Sequence, residues 1–372
     1  MTWKTKTLGG LCKMYQPKTI SKKQLKPNGK YFVYGANGII GKHDKYNHKD
    51  SQLLLTCRGA TCGSINTSKP FSWINGNAMV IQPNENEVSK KYIEYFLKGI
   101  IKFSKIITGS AQPQITRESL NPVLVSFPSL SEQQLITAKL EAVFVKIDRA
   151  TATAEHNAEN AEVLFEQFRN EIFSSLASSS TIKKLSDTVN LSRGHNPPKS
   201  KFIYETRHGY VRFYQIRDAK SEKFATYVPD SPQLHKVNKD EFLMNAYRYV
   251  GEVYRGVEGA YNVALCKLSV KDDEVVNRDY LFYMIPSYLI KGELLKTSAR
   301  SLIPSMSIKE LAEIKIPIPS FSIQQQTVKK IVAISQECAL LKTIYLNKVI
   351  SFSDLKKALL KNLLKNNTKL PV

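Results

Sequence analysis

The chain of 372 residues is long enough for two domains of ordinary size plus connecting elements. Its 54 Lys and Arg against 32 Asp and Glu leave a net charge of +22, which suits a polyanionic partner, nucleic acid foremost, because clustered cations displace the counterions condensed on a phosphate backbone. No run of about 18 apolar residues, signal peptide or lipidation motif is present, which argues against a membrane partner and for a soluble cytoplasmic chain, and Cys12, Cys57, Cys62, Cys266 and Cys338 lack the spacing of a zinc site or a disulfide framework.

Taken along the chain, strands are expected at 30–34, 52–57 and 78–82 and a helix over 88–101. The run Tyr34-Gly35-Ala36-Asn37-Gly38-Ile39-Ile40-Gly41 has the outline of a dinucleotide-binding turn, but residues 42–49 after it are polar throughout and cannot supply the helix that such a turn opens. Two readings stay open: a loop in which Asn37, Lys42 and His43 approach DNA, and a tight turn between strands. Gly41-Lys42 is no phosphate-binding loop either, since its first glycine is mis-spaced and His43 stands where a magnesium-binding hydroxyl belongs. Further polar candidates follow at Arg58, Gln112, Gln114 and Arg117.

From Ser131, read as a helix N-cap, about 45 residues run with few breakers and an apolar stripe at Ile136, Leu140, Val143, Ile147, Ala150, Ala154, Asn157, Ala161, Leu164 and Phe168. This is the 3.5-residue period of a coiled-coil seam. Strands at 211–216 and 263–270 and a helix over 276–290 are expected next. Asn196-Pro197-Pro198-Lys199 outlines an adenine methyltransferase motif but lacks the aromatic ring that would stack on a flipped base, and Glu313-Ile314-Lys315 lacks the acidic partner of a nuclease site. Arg193, Arg207, Arg212, Arg217, Arg248, Arg255 and Arg300 are the second half's candidates for DNA contact, since arginine forks match guanine edges and phosphates. A second stripe closes the chain at Ile331, Ile334, Cys338, Leu341, Tyr345, Lys348, Phe352, Leu355, Leu359 and Asn362.

The chain repeats itself. Residues 88–97 return as 276–285, Pro113-Gln-Ile115-Thr116 as Pro304-Ser-Met306-Ser307, and Phe127-Pro-Ser-Leu-Ser-Glu-Gln133-Gln134 as Ile318-Pro-Ser-Phe-Ser-Ile-Gln324-Gln325. Since the first long helix leads from one copy to the other, the second can bury its stripe on the first only by running back, which predicts an antiparallel pair. Charge agrees: the segments 1–130, 131–177, 178–321 and 322–372 carry +13, −4, +6 and +7. The polar positions Asn157, Lys348 and Asn362 are read as gaps that fix register. At a rise of 1.5 Å per residue such a helix spans about 65 Å and could act as a ruler.

The opening Trp3-Lys-Thr-Lys-Thr-Leu8-Gly9, the loop Gly38-Ile-Ile-Gly41, the stretch Gly109-Ser-Ala-Gln112-Pro-Gln-Ile115 and Phe127-Pro-Ser-Leu-Ser-Glu132-Gln133-Gln134 before a long helix, all in a duplicated frame, resemble the specificity (S) subunit of type I restriction-modification systems. The resemblance implies an α+β fold of two mixed α/β target recognition domains, separated by an antiparallel pair of long coiled-coil helices. The boundaries expected are 1–130 and 178–321 for the recognition domains, 131–177 and 322–365 for the helices, and 366–372 for a tail. It also implies double-stranded DNA as the ligand, one half of a gapped target per domain, and docking of two methyltransferase (M) subunits, with room for two restriction (R) subunits. The chain itself would be non-catalytic and bind no cofactor; S-adenosylmethionine would belong to M, ATP and Mg to R. Two alternatives are a specificity subunit whose partner fuses methylase and nuclease, and a DNA-binding coiled-coil scaffold.

Overall fold

The computed structural model describes residues 3–109, 113–217, 221–255, 257–287, 290, 292–294 and 305–365. It divides into two compact units, residues 1–155 with 346–372, and residues 156–345.

The first unit contains β1 (Lys4–Thr7), β2 (Cys12–Tyr15), β3 (Tyr31–Gly35), β4 (Gly38–His43), β5 (Leu53–Thr56), β6 (Ile65–Thr67), β7 (Trp73–Ile74), β8 (Ala78–Pro83) and β9 (Leu124–Phe127). They form a β1-β9 pair, a four-stranded sheet β2-β8-β5-β6 and a three-stranded sheet β4-β3-β7. The unbroken run Leu53-Leu54-Leu55 follows from burial on both faces: alternate side chains point to opposite sides of a strand. Leu53 and Leu55 join Tyr92 and Phe96 of the Lys90–Gly99 helix, whereas Leu54 joins Tyr34, Ile74 and Val80.

The second unit contains β10 (Thr181–Lys184), β11 (Val189–Arg193), β12 (Tyr210–Tyr214), β13 (Tyr227–Pro229), β14 (Lys236–Val237), β15 (Phe242–Asn245), β16 (Val253–Arg255), β17 (Gly259–Tyr261), β18 (Leu265–Val270) and β19 (Lys315–Ile318). Its pairings β10-β19, β11-β18-β15-β16 and β13-β12-β17 repeat those of the first unit strand for strand, with β14 added beside β17. Two faces are buried here as well: Phe242 and Met244 pack toward Tyr280 of the Arg278–Met284 helix, Leu243 toward Tyr254 and Tyr261. The sequence repeat is therefore a repeat of fold.

The long helices are Leu130–Ala177 and Phe321–Leu364. The first is capped by Ser129, two residues before the expected Ser131: the Ser129 hydroxyl lies 3.4 Å from the Glu132 amide, and the Glu132 carboxylate accepts from the Ser129 amide at 3.1 Å. Within the first unit the end of the second helix packs on the start of the first, Leu359, Leu360, Leu363 and Leu364 joining the core that holds Ile136, Leu140 and Phe144. Lys356 pairs with Asp148 and lies over the Phe144 ring. Within the second unit, Ile172 and Phe173 of the first helix meet Val328, Ile331 and Val332 of the second, and Lys342 pairs with Glu162. Fourteen residues forward from Asp148 to Glu162 are matched by fourteen back from Lys356 to Lys342, so the helices are antiparallel.

The seam follows the expected stripe at Leu140, Ile147, Ala154, Ala161, Phe168, Ile331, Cys338, Tyr345, Phe352 and Leu359, but at alternate places it is one residue further on. Val143, Leu164, Leu341 and Leu355 are exposed, while Phe144, Ala158, Phe165, Lys342 and Lys356 turn inward. In the first helix both phases look apolar in sequence and the rings of Phe144 and Phe165 mark the inward one; in the second the inward phase holds lysines, whose apolar stems line the seam. Lys348 and Asn362, read as gaps in the seam, lie exposed beside it, and Asn157 lines an open cleft of about 410 Å³ with Leu164, Leu341 and Tyr345.

Candidate nucleic-acid interface

The glycine-rich loop is a hairpin. Gly35 faces Gly38 across a two-residue turn, Ala36-Asn37, and Gly38, the residue directly after the turn, takes a positive φ of +102° that glycine adopts without strain. A strand and not a helix follows it, which removes the dinucleotide reading and settles the local structure as a tight turn between strands. Asn37 sits exposed at the tip and its Oδ1 accepts from Asn66 Nδ2 at 2.9 Å. Lys42 and His43 stand at the other end of β4, His43 opposite Tyr31, so the three candidates of this loop are not gathered. His43 is held by the Lys45 amide at 3.0 Å and lies beside the Trp73 ring.

A second loop does bring candidates together. After β5 the chain exits through Cys57, and the Ile115 amide donates to the Cys57 carbonyl at 2.9 Å, so that Arg58 and Gln114 become neighbours across a β-bridge. Gly59, with φ +89°, turns the chain outward, and the Gly63 amide closes the loop on the Thr56 carbonyl at 2.9 Å. Arg117 opens the following Arg117–Leu120 turn of helix and is exposed. Gln112 lies outside the described residues, as does Arg300 of the second half.

The second unit builds the same corner. Asn245 ends β15, the Met306 amide donates to the Ala246 carbonyl at 3.0 Å, and Tyr247 is bridged to Ser305. The Gly251 amide closes this loop on Asn245 at 3.0 Å, one residue sooner than in the first copy. Arg248 stands where the first copy has Gly59 and carries φ +64°, a conformation that costs a side-chain-bearing residue of order 1–3 kcal/mol. Beneath the loop, buried Asn245 donates to Tyr254 Oη at 2.7 Å, and burial beside Glu252 pushes the Tyr254 phenol up, so it stays a neutral donor to that carboxylate at 2.7 Å.

The other arginines are dispersed and several serve packing. Arg212 is 9 % exposed, donates to the Phe213 and Thr226 carbonyls and stacks 4.6 Å from the Tyr214 ring centre, so it is an interior residue and not a surface reader. Arg193 donates to the Val263 carbonyl at 2.7 Å, its pKa lowered by burial, and Arg255 is engaged by Asp279 at 2.5 Å and by the Phe282 ring. Arg207, above Tyr210, and Arg217, near the Thr226 hydroxyl, remain exposed.

The glutamines of the repeated motif turn out to be internal fasteners. Gln133 is fully buried: its Oε1 accepts from the Ser89 amide and its Nε2 donates to the Glu87 and Pro128 carbonyls, all at 2.9 Å. Gln324 repeats this with the Asn277 amide and the Val275 and Pro319 carbonyls at 2.8–3.0 Å. Tyr92 and Tyr280, equivalent in the repeat, likewise donate to the Ser126 and Pro317 carbonyls. Among the described residues no cluster of His, Cys, Asp and Glu could hold a metal ion, and no helix is long and apolar enough to cross a membrane. Burial raises the Cys12 thiol to about 12 and those of Cys57 and Cys266 to about 11, far from a reactive thiolate.

Comparison with known proteins agrees with this architecture. The chain is 21% identical over 368 residues to the type I restriction enzyme EcoDI specificity subunit of Escherichia coli, covering 88% of this chain and 80% of that protein. Its fold is shared with a chain from a structural study of complex assembly and conformational transition in the type I R-M system, at TM-score 0.74 and 16% identity, covering 98% of each chain. The HsdS subunit from Thermoanaerobacter tengcongensis shares it at TM-score 0.55 and 17% identity, covering 98% of this chain and 97% of that one. The family described as the type I restriction modification DNA specificity domain matches residues 1–158 and again 178–350, and the chain belongs to that family.

Proposed function

We propose that the chain is the non-catalytic DNA-reading subunit of a type I restriction-modification complex in the cytoplasm, each unit reading one half of a bipartite, gapped duplex. The observation that carries this reading is the pair of equivalent corners: one scaffold built twice, presenting Arg58 with Gln114 in one copy and Tyr247 with Ser305 in the other. A scaffold that had to meet one ligand twice would keep those residues alike. The charge of +22 suits a phosphate backbone beneath both units.

On this reading the recognition surfaces belong to residues 1–130 and 178–321 and the helices set the gap between half-sites. Two M subunits would dock on the chain and bring S-adenosylmethionine, and R subunits, where the system includes them, would bring ATP and Mg. Co-expression with the M partner, followed by mapping of methylated adenines, is expected to return one gapped motif. Methylation without a shared motif, or at an ungapped one, refutes the proposal.

A further inference from the structure

We infer that the corner after β5, and its counterpart after β15, carries the base-selecting contacts of each unit, and that Arg248 is held in a strained conformation to make one of them. This rests on the reading of the chain as a two-part DNA reader. In both copies two segments remote in sequence are fastened by the same main-chain bonds, Ile115 to Cys57 and Met306 to Ala246, so the base of the corner is built alike, while the side chains differ and the loop closes one residue sooner in the second copy. Arg58, Tyr247, Arg248 and Tyr249 are exposed there, and none makes a side-chain hydrogen bond or ion pair with a described residue. Tyr247 and Tyr249 are 40 % and 53 % exposed, unusual for two aromatic residues flanking a cation unless the rings meet something.

The chemistry differs between the copies. Arg58 beside Gln114 sets a guanidinium fork next to a carboxamide, donor and acceptor sets that match the major-groove edges of guanine and adenine. Arg248 between two phenols again offers a fork for guanine, with rings that can pack on a thymine methyl or a sugar, while Ser305 replaces the carboxamide. The backbone at Arg248 adds an independent observation. Its first-copy counterpart is Gly59, which adopts φ +89° freely, yet the second copy keeps an arginine at φ +64°. Strain of this kind persists where the side chain has a task that glycine cannot perform.

The test is selection from a randomised duplex library by the full chain, followed by sequencing of the bound fraction. The parent chain is expected to return a gapped motif. Arg58→Ala should lower the preference at one or two adjacent positions of one half by roughly tenfold or more and leave the other half untouched, and Arg248→Ala should do the same in the other half. Arg248→Gly supplies the readout that a purely structural arginine would not give: base preference is lost in that half while the melting temperature holds or rises, because glycine relieves the strain. Variants that bind every sequence more weakly with the motif intact would make these arginines phosphate contacts and overturn the inference. A parent chain that selects no gapped motif overturns the functional reading beneath it as well.

Discussion

Gln133 and Gln324 each bond three buried or half-buried main-chain groups at the point where a long helix leaves its domain. Replacing either by Ala should therefore cost about 2–3 kcal/mol in denaturant unfolding, whereas Gln134→Ala, one residue along and exposed, should stay within about 0.5 kcal/mol. The pair Gln-Gln is visible in the sequence twice, but which glutamine matters is not, because helical phase alone assigns the inward face. His48 makes a second residue-scale case. Asn47 Oδ1 already accepts from the Ile74 amide at 2.8 Å and takes a further bond from His48 Nδ1 at 2.7 Å, so Nδ1 must carry the proton and Nε2 accepts from the Tyr15 hydroxyl at 2.9 Å. Burial lowers the His48 pKa, which means that the unfolded chain binds the proton more readily and that stability falls as pH drops from the ordinary imidazole value of about 6.5 toward the folded one. His48→Gln should flatten this part of a melting-temperature profile between pH 7 and pH 5; an unchanged slope would place the titration elsewhere.

At the level of elements, the antiparallel helix pair makes the sharpest claim about side-chain phase. Leu140 is fully buried and Val143 is 39 % exposed, so Leu140→Ala should cost about 2–5 kcal/mol and Val143→Ala less than about 0.5 kcal/mol in the same unfolding assay. Equal losses would return Val143 to the seam. Periodicity made both helices legible and connectivity their antiparallel sense, and the apolar runs at β5 and β8 announced themselves because both faces of those strands are covered. Nothing local announced β1 or β10. Lys4–Thr7 is polar and exposed along its whole length, and it is a strand only because Leu124–Phe127, more than a hundred residues later, returns beside it. The candidate site was partly legible for the same reason. Arg58 and Gln114 can be named as residue types, but only the tertiary bridge makes them neighbours, and the tyrosines around Arg248 carry no local sign of their exposure, which a short apolar-rich run does not reveal.

For the molecule as a whole, each compact unit includes a piece of both long helices, so the halves of the sequence are not the halves of the fold. Gly99 shows how close this dependence is: a Cβ there would stand 2.4 Å from Leu360 Cβ, although the two residues belong to opposite ends of the chain. Gly99→Ala should cost about 1–3 kcal/mol despite the better helix propensity of alanine, and combining it with Leu360→Gly, which removes the Cβ it would meet, should cost less than the sum of the two. The same connectivity bears on the gapped target proposed for this chain. Asp148 pairs with Lys356 and Glu162 with Lys342, which makes the junctions 155/156 and 348/349 matched positions on the two helices. Seven residues inserted at both junctions preserve the heptad phase and lengthen the pair by about 10 Å, close to three base pairs of duplex. If the helices measure the gap, methylation mapping of the doubly extended chain should return both half-sites unchanged with about three more base pairs between them. Extending one helix alone should instead abolish the motif, since the partner seam has no length to match it. A doubly extended chain that, with its M partner, still directs methylation to the original gap would show that the spacing is set elsewhere.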